Sequence, residues 1–303
     1  MKMIQVLQPG LITTIQDEGR KGYETHGFPA SGSFDPFLAA IANRLVGNLP
    51  GAAVLEFALL GPTLQFQQDT AVAVAGSGCR FLLNGNPAPE FRGFRVSAGE
   101  VLQFQAMEGW FGCLAICGGI KGKRILGSMS AYLPGDIGKR LAAGDLLNTE
   151  KQSAGLFAID PSSVPLPGKI PLLPALHTHL FSAADKKKIV EMEYRVTAQS
   201  NRMGLRLAGA ELHSPLIRRS CPVVNGTVQV PQSGQPMIVG PDGPTTGGYA
   251  QIGVIARAGW TILANSPPGR AIAFEWIDRE TAWRMWRDKE AYLQTEAAWE
   301  KVE

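Results

Sequence analysis

Apolar residues come in short runs split by turn residues: 53–59, 63–67, 71–75, 80–83, 94–97, 101–105 and 111–116. Each run has strand length. The frequent Gly, Pro and Asn between them predict a barrel or sandwich, not a sheet built from alternating strands and helices. Asn84-Gly85 is a hairpin turn, because both residues tolerate the positive φ that a two-residue turn requires. Ahead of these runs, residues 1–16 read as a strand, a turn at Pro9-Gly10 and a second short strand.

The period changes between Asp35 and Gly47. Leu38, Ile41, Ala42 and Leu45 share one face at helical spacing. Asp35 can cap the free amides, Pro36 fits the first helical position, and Gly47 can close the end. The small residues Pro29, Ala30, Ser31, Gly32 and Ser33 therefore precede a helix N-terminus. Such an end carries free N–H donors and partial positive charge, and suits a carboxylate, carbamate or phosphate. A capped surface helix behind a tight turn accounts for the same residues.

The second half repeats the grammar of the first. Ala98-Gly99, an apolar run, Gly109 and 111–116 match Ala258-Gly259, the apolar run 261–264, Gly269 and 271–277. Gly61, Leu64, Gln65, Phe66 and the run 72–76 match Gly226, Val228, Gln229, Val230 and the run 237–240. The offset is roughly 160–165 residues in both places, which predicts a duplicated domain. Residues 153–174, rich in Pro, Ser and Gly, read as the linker, dividing the chain into 1–165 and 166–303. Ser182 and Asp185 mark a short helix through Glu191. Asp278 caps a last helix whose Trp283 and Trp286 are expected to cover a core edge, or else to meet a partner.

Composition narrows the function classes. A chain of 303 residues with 45% hydrophobic and 18% charged content describes a soluble globular protein with ample core. Gly at 35 and Pro at 21 again favour turns and β structure. A net charge of +3, with no basic run interleaved with aromatics, argues against nucleic acid. No apolar run approaches membrane-span length, and Gln5, Gln8 and Thr13 interrupt any signal-peptide pattern. Four cysteines without framework spacing fit a reducing cytoplasm.

Most searches for chemistry fail. Gly118-Gly119-Ile120-Lys121-Gly122-Lys123-Arg124 resembles a phosphate loop but is one residue short and lacks the Ser or Thr that holds magnesium, so no ATP site of that type is expected. There is no G-x-S-x-G elbow. His177-x-His179 can put two imidazoles on one face of a strand, but lacks a third ligand nearby, and no metal site is expected. His26 and His213 read as structural or surface residues, and Cys113 and Cys117 as small core residues. Met1-Lys2-Met3 resembles a biotin-attachment tripeptide but has nothing before it to form the required hairpin, so no covalent biotin is expected. The loop from Gly240 through Pro241, Asp242, Thr245, Thr246, Gly247, Gly248 and Tyr249 offers donors and close backbone approach for an oxyanion. A long β-connection that needs glycines for its turns explains it equally well.

Taken together, these stretches resemble the biotin-dependent carboxyltransferase family, also called allophanate hydrolase subunit 2. The likeness covers nearly the whole chain. It rests on Gln16-Asp17-x-Gly19-Arg20-x-Gly22, Gly27-x-Pro29-x-Ser31-Gly32-x-x-Asp35, Ala42-Asn43-x-Leu45-Val46-Gly47-Asn48, Glu56 and Gly61-Pro62. It continues through Gly118-Gly119-Ile120, Gly127-Ser128, Arg140, Gly144-Asp145, Asn201-Arg202-Met203-Gly204-x-Arg206-Leu207, the Gln-Val-Pro motif at Gln229 and Thr245-Thr246-Gly247-Gly248-Tyr249.

The resemblance implies two tandem cyclophilin-like β-barrel domains with a few short helices. Bacterial members include the C-type subunit of ATP-dependent 5-oxoprolinase and an antagonist of a sporulation-kinase inhibitor. It therefore implies a cytoplasmic hetero-oligomer with a smaller, homologous B-type partner and a third, A-type partner, which opens the lactam of 5-oxo-L-proline to L-glutamate using ATP. The ATP site is not implied on this chain. The related domain of urea carboxylase moves a carboxyl group from carboxybiotin to urea, a second reading. A non-catalytic binder of a kinase inhibitor is a third. For the chemistry, the resemblance points to Arg20, Ser31, Gly32, Asn43 and Arg202 around an anion or amide, with Gln229, Thr245, Thr246, Gly247, Gly248 and Tyr249 also binding. Asp17, Glu56 and Asp242 join Arg20 as catalytic candidates, for proton handling or for orienting the arginines. Asp35, Asn43 and Glu56 also have structural readings. Departures cluster late: Pro174, His177, His179, Cys221 and Asn265 stand where family members usually carry other residues.

Overall fold

A computed structural model describes residues 2–150 and 155–302. It resolves into two compact units. The first holds the chain up to Arg20, then Ser31–Val164, then the chain from Glu290; the second holds Lys21–Ala30 and Pro165–Lys289. Among the described residues four α-helices accompany the strands: α1 Pro36–Leu45, α2 Ala183–Glu191, α3 Trp260–Ala264 and α4 Arg279–Gln294. The chain is mainly β, as expected, with two β-barrel domains of the cyclophilin-like kind and few helices.

The first unit contains a seven-stranded and a five-stranded sheet. The larger runs Ile120–Lys121, Leu146–Thr149, Lys2–Gln8, Thr63–Phe66, Val101–Ala106, Arg80–Leu83, Asn86–Pro87. The smaller runs Ile12–Gln16, Val54–Ala58, Phe111–Ile116, Thr70–Ala75, Phe94–Val96. Their inner faces meet in one core, where Phe57 of the smaller sheet touches Phe104 of the larger at 4.4 Å between ring centroids. Thr63–Phe66 alternates buried and half-buried residues, as a strand with one wet face should. Val54–Ala58, Thr70–Ala75 and Phe111–Ile116 are instead buried throughout. For the last two the cause is α1, which lies against Phe111–Ile116 and Thr70–Ala75 and leaves only Pro36 and Arg44 outside the buried set.

The second unit is built on an eight-stranded sheet: Ala271–Ile272, Tyr194–Val196, Gly204–Ala208, Met237–Val239, Thr227–Val230, Ala250–Ile255, Ile170–Pro174, Phe274–Trp276. Its first and last strands are separated in the chain by Ala273 alone. The sheet must therefore curl until its two edges meet, which makes it a nearly closed barrel and removes most of its free edge. Ile170, Leu172, Tyr194, Leu205, Val228, Ile238, Ile252 and Phe274 are fully buried. All its pairings are antiparallel except Ile170–Pro174 with Phe274–Trp276.

Helix starts follow the sequence signals. Asp35 accepts from the Phe37 amide at 3.0 Å, Ser182 from the Asp185 amide at 3.0 Å, and Asp278 from the Thr281 amide at 2.7 Å. Asn84 and Gly85 both take positive φ and turn Arg80–Leu83 into Asn86–Pro87.

Four expectations need correction. The linker reading of 153–174 fails where the chain is described: Leu156–Ala158 pairs with Glu300–Val302, and Ile170–Pro174 lies inside the eight-stranded sheet. Ile170, Pro171 and Leu172 are all buried, and the burial of this apolar run inside the sheet outweighs its prolines. Residues 153 and 154 lie outside the described residues. The repeat pairs 101–105 with 261–264, but the former is a strand and the latter is α3, whose Trp260 and Leu263 are buried one helical turn apart. His177 and His179 do not share a strand face, because Thr178–Leu180 is a 3-10 turn. Trp283 is 60% exposed beneath the Arg287 guanidinium, so it covers no core edge; Trp286 lies under Arg257 at 3.8 Å.

Candidate functional site

The candidate residues fall into two groups, one in each unit. In the first unit the turn after Ile12–Gln16 is fixed by Asp17. Its carboxylate accepts from Ser128 Oγ at 2.5 Å, Ser130 Oγ at 2.6 Å, the Met129 amide at 2.8 Å and the Gly19 amide at 2.9 Å. Burial disfavours the charge, but these four donors outweigh it and hold the carboxyl below its ordinary value. Asp17 is thus an ionised anchor with its lone pairs occupied, poorly placed to carry protons. Arg20, almost wholly buried, donates from Nη2 to the Ser130 carbonyl. Ser128 and Ser130 alternate onto one face, the signal that could have marked them as partners of Asp17.

The 31–35 segment lies on this turn, with the Ser33 amide donating to the Asp17 carbonyl at 3.1 Å. Gly32 has φ +86° and fits only as glycine, since a Cβ would meet the Gly19 nitrogen at 3.1 Å and the Asp17 carbonyl at 3.2 Å. Ser31 is also left-handed at φ +52°, an uncommon state for serine. Glu56 accepts from the Phe34 amide at 2.5 Å and Asp35 caps α1, so two carboxylates already serve this helix start. The hydroxyls of Ser31 and Ser33 are buried without a hydrogen-bond partner among the described residues. Hydroxyls that donate and accept, beside two carboxylates, match a neutral amide better than a bare anion.

Asn43 belongs elsewhere. It lies near the far end of α1, about 12 Å along the axis from Asp35. Its amide nitrogen donates to Ala52 and Pro50 carbonyls at 2.7 and 3.2 Å, and its oxygen accepts from Asn48 at 3.0 Å. Asn48 in turn reaches the Ile116 carbonyl and the Gly118 amide, both at 2.8 Å. The pair stitches the helix end to the sheet.

In the second unit Arg202 holds Asp242 through Nε and Nη2 at 2.8 and 3.1 Å. The backbones are equally close: the Asp242 amide donates to the Arg202 carbonyl at 3.1 Å, and a Cβ at Gly240 would lie 2.1 Å from that same oxygen. The 245–249 loop is tied down where the Val223 amide donates to the Thr245 carbonyl at 2.9 Å and Thr246–Gly247 pairs with Cys221–Pro222. Gln229 is buried behind Gly247, and a Cβ there would sit 2.5 Å from its Nε2. That Nε2 donor has no partner among the described residues. Thr246, Gly248 and Tyr249 face outward. The arrangement offers a buried amide donor under a glycine and hydroxyls above it, suited to a carbonyl or carboxylate oxygen.

The phosphate-loop-like segment enters the strand Ile120–Lys121 and leads into no helix, so its amides form no helix-start cradle. Among the described residues no three His, Cys, Asp or Glu side chains are grouped to hold a metal ion. Among them, too, no helix is long and apolar enough to cross a membrane.

The family described as "Carboxyltransferase domain, subdomain A and B" matches residues 26–276. The chain belongs to this carboxyltransferase family. Among its relatives is the C-type subunit of the Haemophilus influenzae 5-oxoprolinase, 34% identical over 96% of both chains. The corresponding C-type subunit of the Escherichia coli 5-oxoprolinase is 34% identical over 98% of both chains. Among solved structures, this carboxyltransferase-family chain superposes on the Kluyveromyces lactis urea carboxylase with a TM-score of 0.86 at 28% identity, covering 96% of this chain and 29% of that one.

Proposed function

We propose that this chain is one component of an ATP-dependent 5-oxoprolinase, which opens the lactam of 5-oxo-L-proline to L-glutamate together with a smaller B-type partner and an A-type partner. The observation that carries the reading is end-to-end likeness at 34% identity to proteins named for the C-type subunit, with 96–98% of each chain aligned. The geometry supports it from the side of the substrate. Attack on a lactam places negative charge on its carbonyl oxygen, and fixed, buried donors stabilise that charge best. Ser31 and Ser33 in one unit, and Gln229 in the other, are such groups. In this reading Gly32 and Gly247 allow close approach, Thr245, Thr246, Gly248 and Tyr249 border the second group, and Arg202 is aimed by Asp242. Asp17 and Glu56 position the first group, with Arg20 beside them. Asn43 contributes by holding α1. ATP is consumed by the complex, and no residue of this chain is assigned to it. No biotin is carried covalently here, and the complex works in the cytoplasm.

The test is ATP hydrolysis by the reconstituted complex, with and without 5-oxoproline, omitting each component in turn. Stimulation that disappears without this chain supports the proposal, and Gln229→Ala should then raise KM or lower kcat in a folded complex. An assembled complex that ignores 5-oxoproline sinks it.

A second reading is carboxyl transfer to urea or a similar small amide, favoured by the family's description and the likeness to a urea carboxylase. Turnover that depends on carboxybiotin would select it.

A further inference from the structure

Lys121, Gly122 and Lys123 of the phosphate-loop-like segment belong to neither candidate group, yet they line a cavity of about 320 Å³ in the first unit. Ile137, Leu141 and Leu147 form its buried floor. Half-buried Met129 walls it, and Leu146, 51% exposed, borders its mouth. The Ile125 amide donates to the Ser128 carbonyl at 2.8 Å, a tight turn that folds 121–123 back toward Met129. A Cβ at Gly122 would lie 3.3 Å from the Met129 sulfur. The volume is at the lower end of the range for small-molecule sites. Apolar surface left wet in such a concavity favours an apolar occupant.

The lining is also charged. Lys121, Lys123 and Lys139 face the single carboxylate of Asp145. Lys139 pairs with Asp145 at 2.5 Å, and Lys121 with Glu150 at 2.9 Å. Lys123 has no hydrogen-bond or ion-pair partner among the described residues. One unanswered cation beside an apolar floor is matched by an apolar body with one negative end. A neutral apolar molecule leaves Lys123 unanswered, and a small polar anion leaves the floor wet. The Met129 wall also carries the donors of Asp17: the Met129 amide and the Ser128 and Ser130 hydroxyls. The next amide, Ala131, donates to the Ile15 carbonyl at 3.0 Å. A ligand seated against Met129 therefore bears on the turn that Asp17 fixes.

We propose that this cavity binds a small amphipathic anion of the medium-chain carboxylate class, and that the bound ligand braces the Asp17 turn. The apolar body covers Leu141 and Leu147, and the carboxylate meets Lys123. Binding is non-covalent and leaves Arg124, 3.6 Å from Asp17, where it is.

The test titrates octanoate into the full-length native protein by calorimetry, with octan-1-ol, octylammonium and acetate for comparison, and follows hydrogen exchange. Octanoate should bind at one site and more tightly than each of the other three. Lys123→Gln should weaken it about fivefold, the upper worth of an exposed ion pair. Gly122 has no left-handed φ, so Gly122→Leu can fold, and its side chain, starting against Met129, should abolish binding. Octanoate should slow exchange at the amides of Met129, Ser130 and Ala131 in the parent and not in Gly122→Leu. If Gly122→Leu misfolds, Lys123→Gln still decides, because an exposed lysine without a partner holds nothing in the fold. No saturable binding, octanol or octylammonium binding as tightly as octanoate, a folded Gly122→Leu that still binds, unchanged affinity in Lys123→Gln, or unchanged exchange at 129–131 would overturn the proposal. None of these readouts uses turnover, so they stand apart from the proposed activity.

Discussion

Arg202 and Asp242, forty residues apart, meet as a two-pronged ion pair with side chains only 12% and 6% exposed. The fork of the guanidinium matches the carboxylate, and the surrounding protein excludes most of the water that would weaken it. Asp242→Ala leaves a largely buried cation and should cost about 3–5 kcal/mol. Arg202→Lys keeps the charge but loses the fork, and should cost about 1–3 kcal/mol. Denaturant titration of both variants checks the order; a lysine variant less stable than the alanine variant contradicts it.

Two glycines of the same region should respond differently. At Gly240 an added methyl would lie 2.1 Å from the Arg202 carbonyl oxygen, which is backbone and cannot yield. At Gly247 it would lie 2.5 Å from Gln229 Nε2, the end of a side chain that can turn away. Gly240→Ala should fail to accumulate as folded protein. Gly247→Ala should fold with a loss of about 1–3 kcal/mol, with Gln229 displaced and substrate handling impaired. Circular dichroism with steady-state kinetics on the complex separates the two cases.

Asp17 should make stability fall in acid. Its carboxyl titrates below the ordinary 3.8 in the folded chain because four donors outweigh the burial that opposes its charge. A carboxylate depressed on folding contributes stability fully above its unfolded pKa, and loses it as pH falls through the folded value. Asp17→Asn should therefore be less stable than the parent near neutrality, and the gap should narrow below about pH 3.8. A gap independent of pH across that window would refute the ionic role.

Asn43 should behave as structure. Asn43→Ala removes two donated bonds and one accepted bond inside the protein, and strands the Ala52 carbonyl. A loss of about 1–3 kcal/mol is expected. The folded fraction should keep the parent's KM for its substrate; a large KM change at unchanged stability would return Asn43 to the binding site.

Local rules made much of this chain legible in its sequence. The strands Arg80–Leu83 and Phe111–Ile116 and the helix Pro36–Leu45 were readable because period, caps and turn residues act over a few neighbours. The motifs carried the family. Tertiary structure decided what those rules cannot reach. The prolines in 165–174 spoke for a linker, but inward-facing Ile170 and Leu172 made a barrel strand of its second half. Thr261–Ala264 looked like a strand until Trp260 and Leu263 found their pockets as a helix. Asp17 read as a candidate for proton handling or for orienting the arginines, and only folding brings Ser128 and Ser130, more than a hundred residues away, onto its carboxylate. His177 and Cys221 read as unrelated, and only chain folding brings their side chains together. Periodicity is a property of neighbours in the chain, whereas hydrogen-bond satisfaction and excluded volume are properties of neighbours in space.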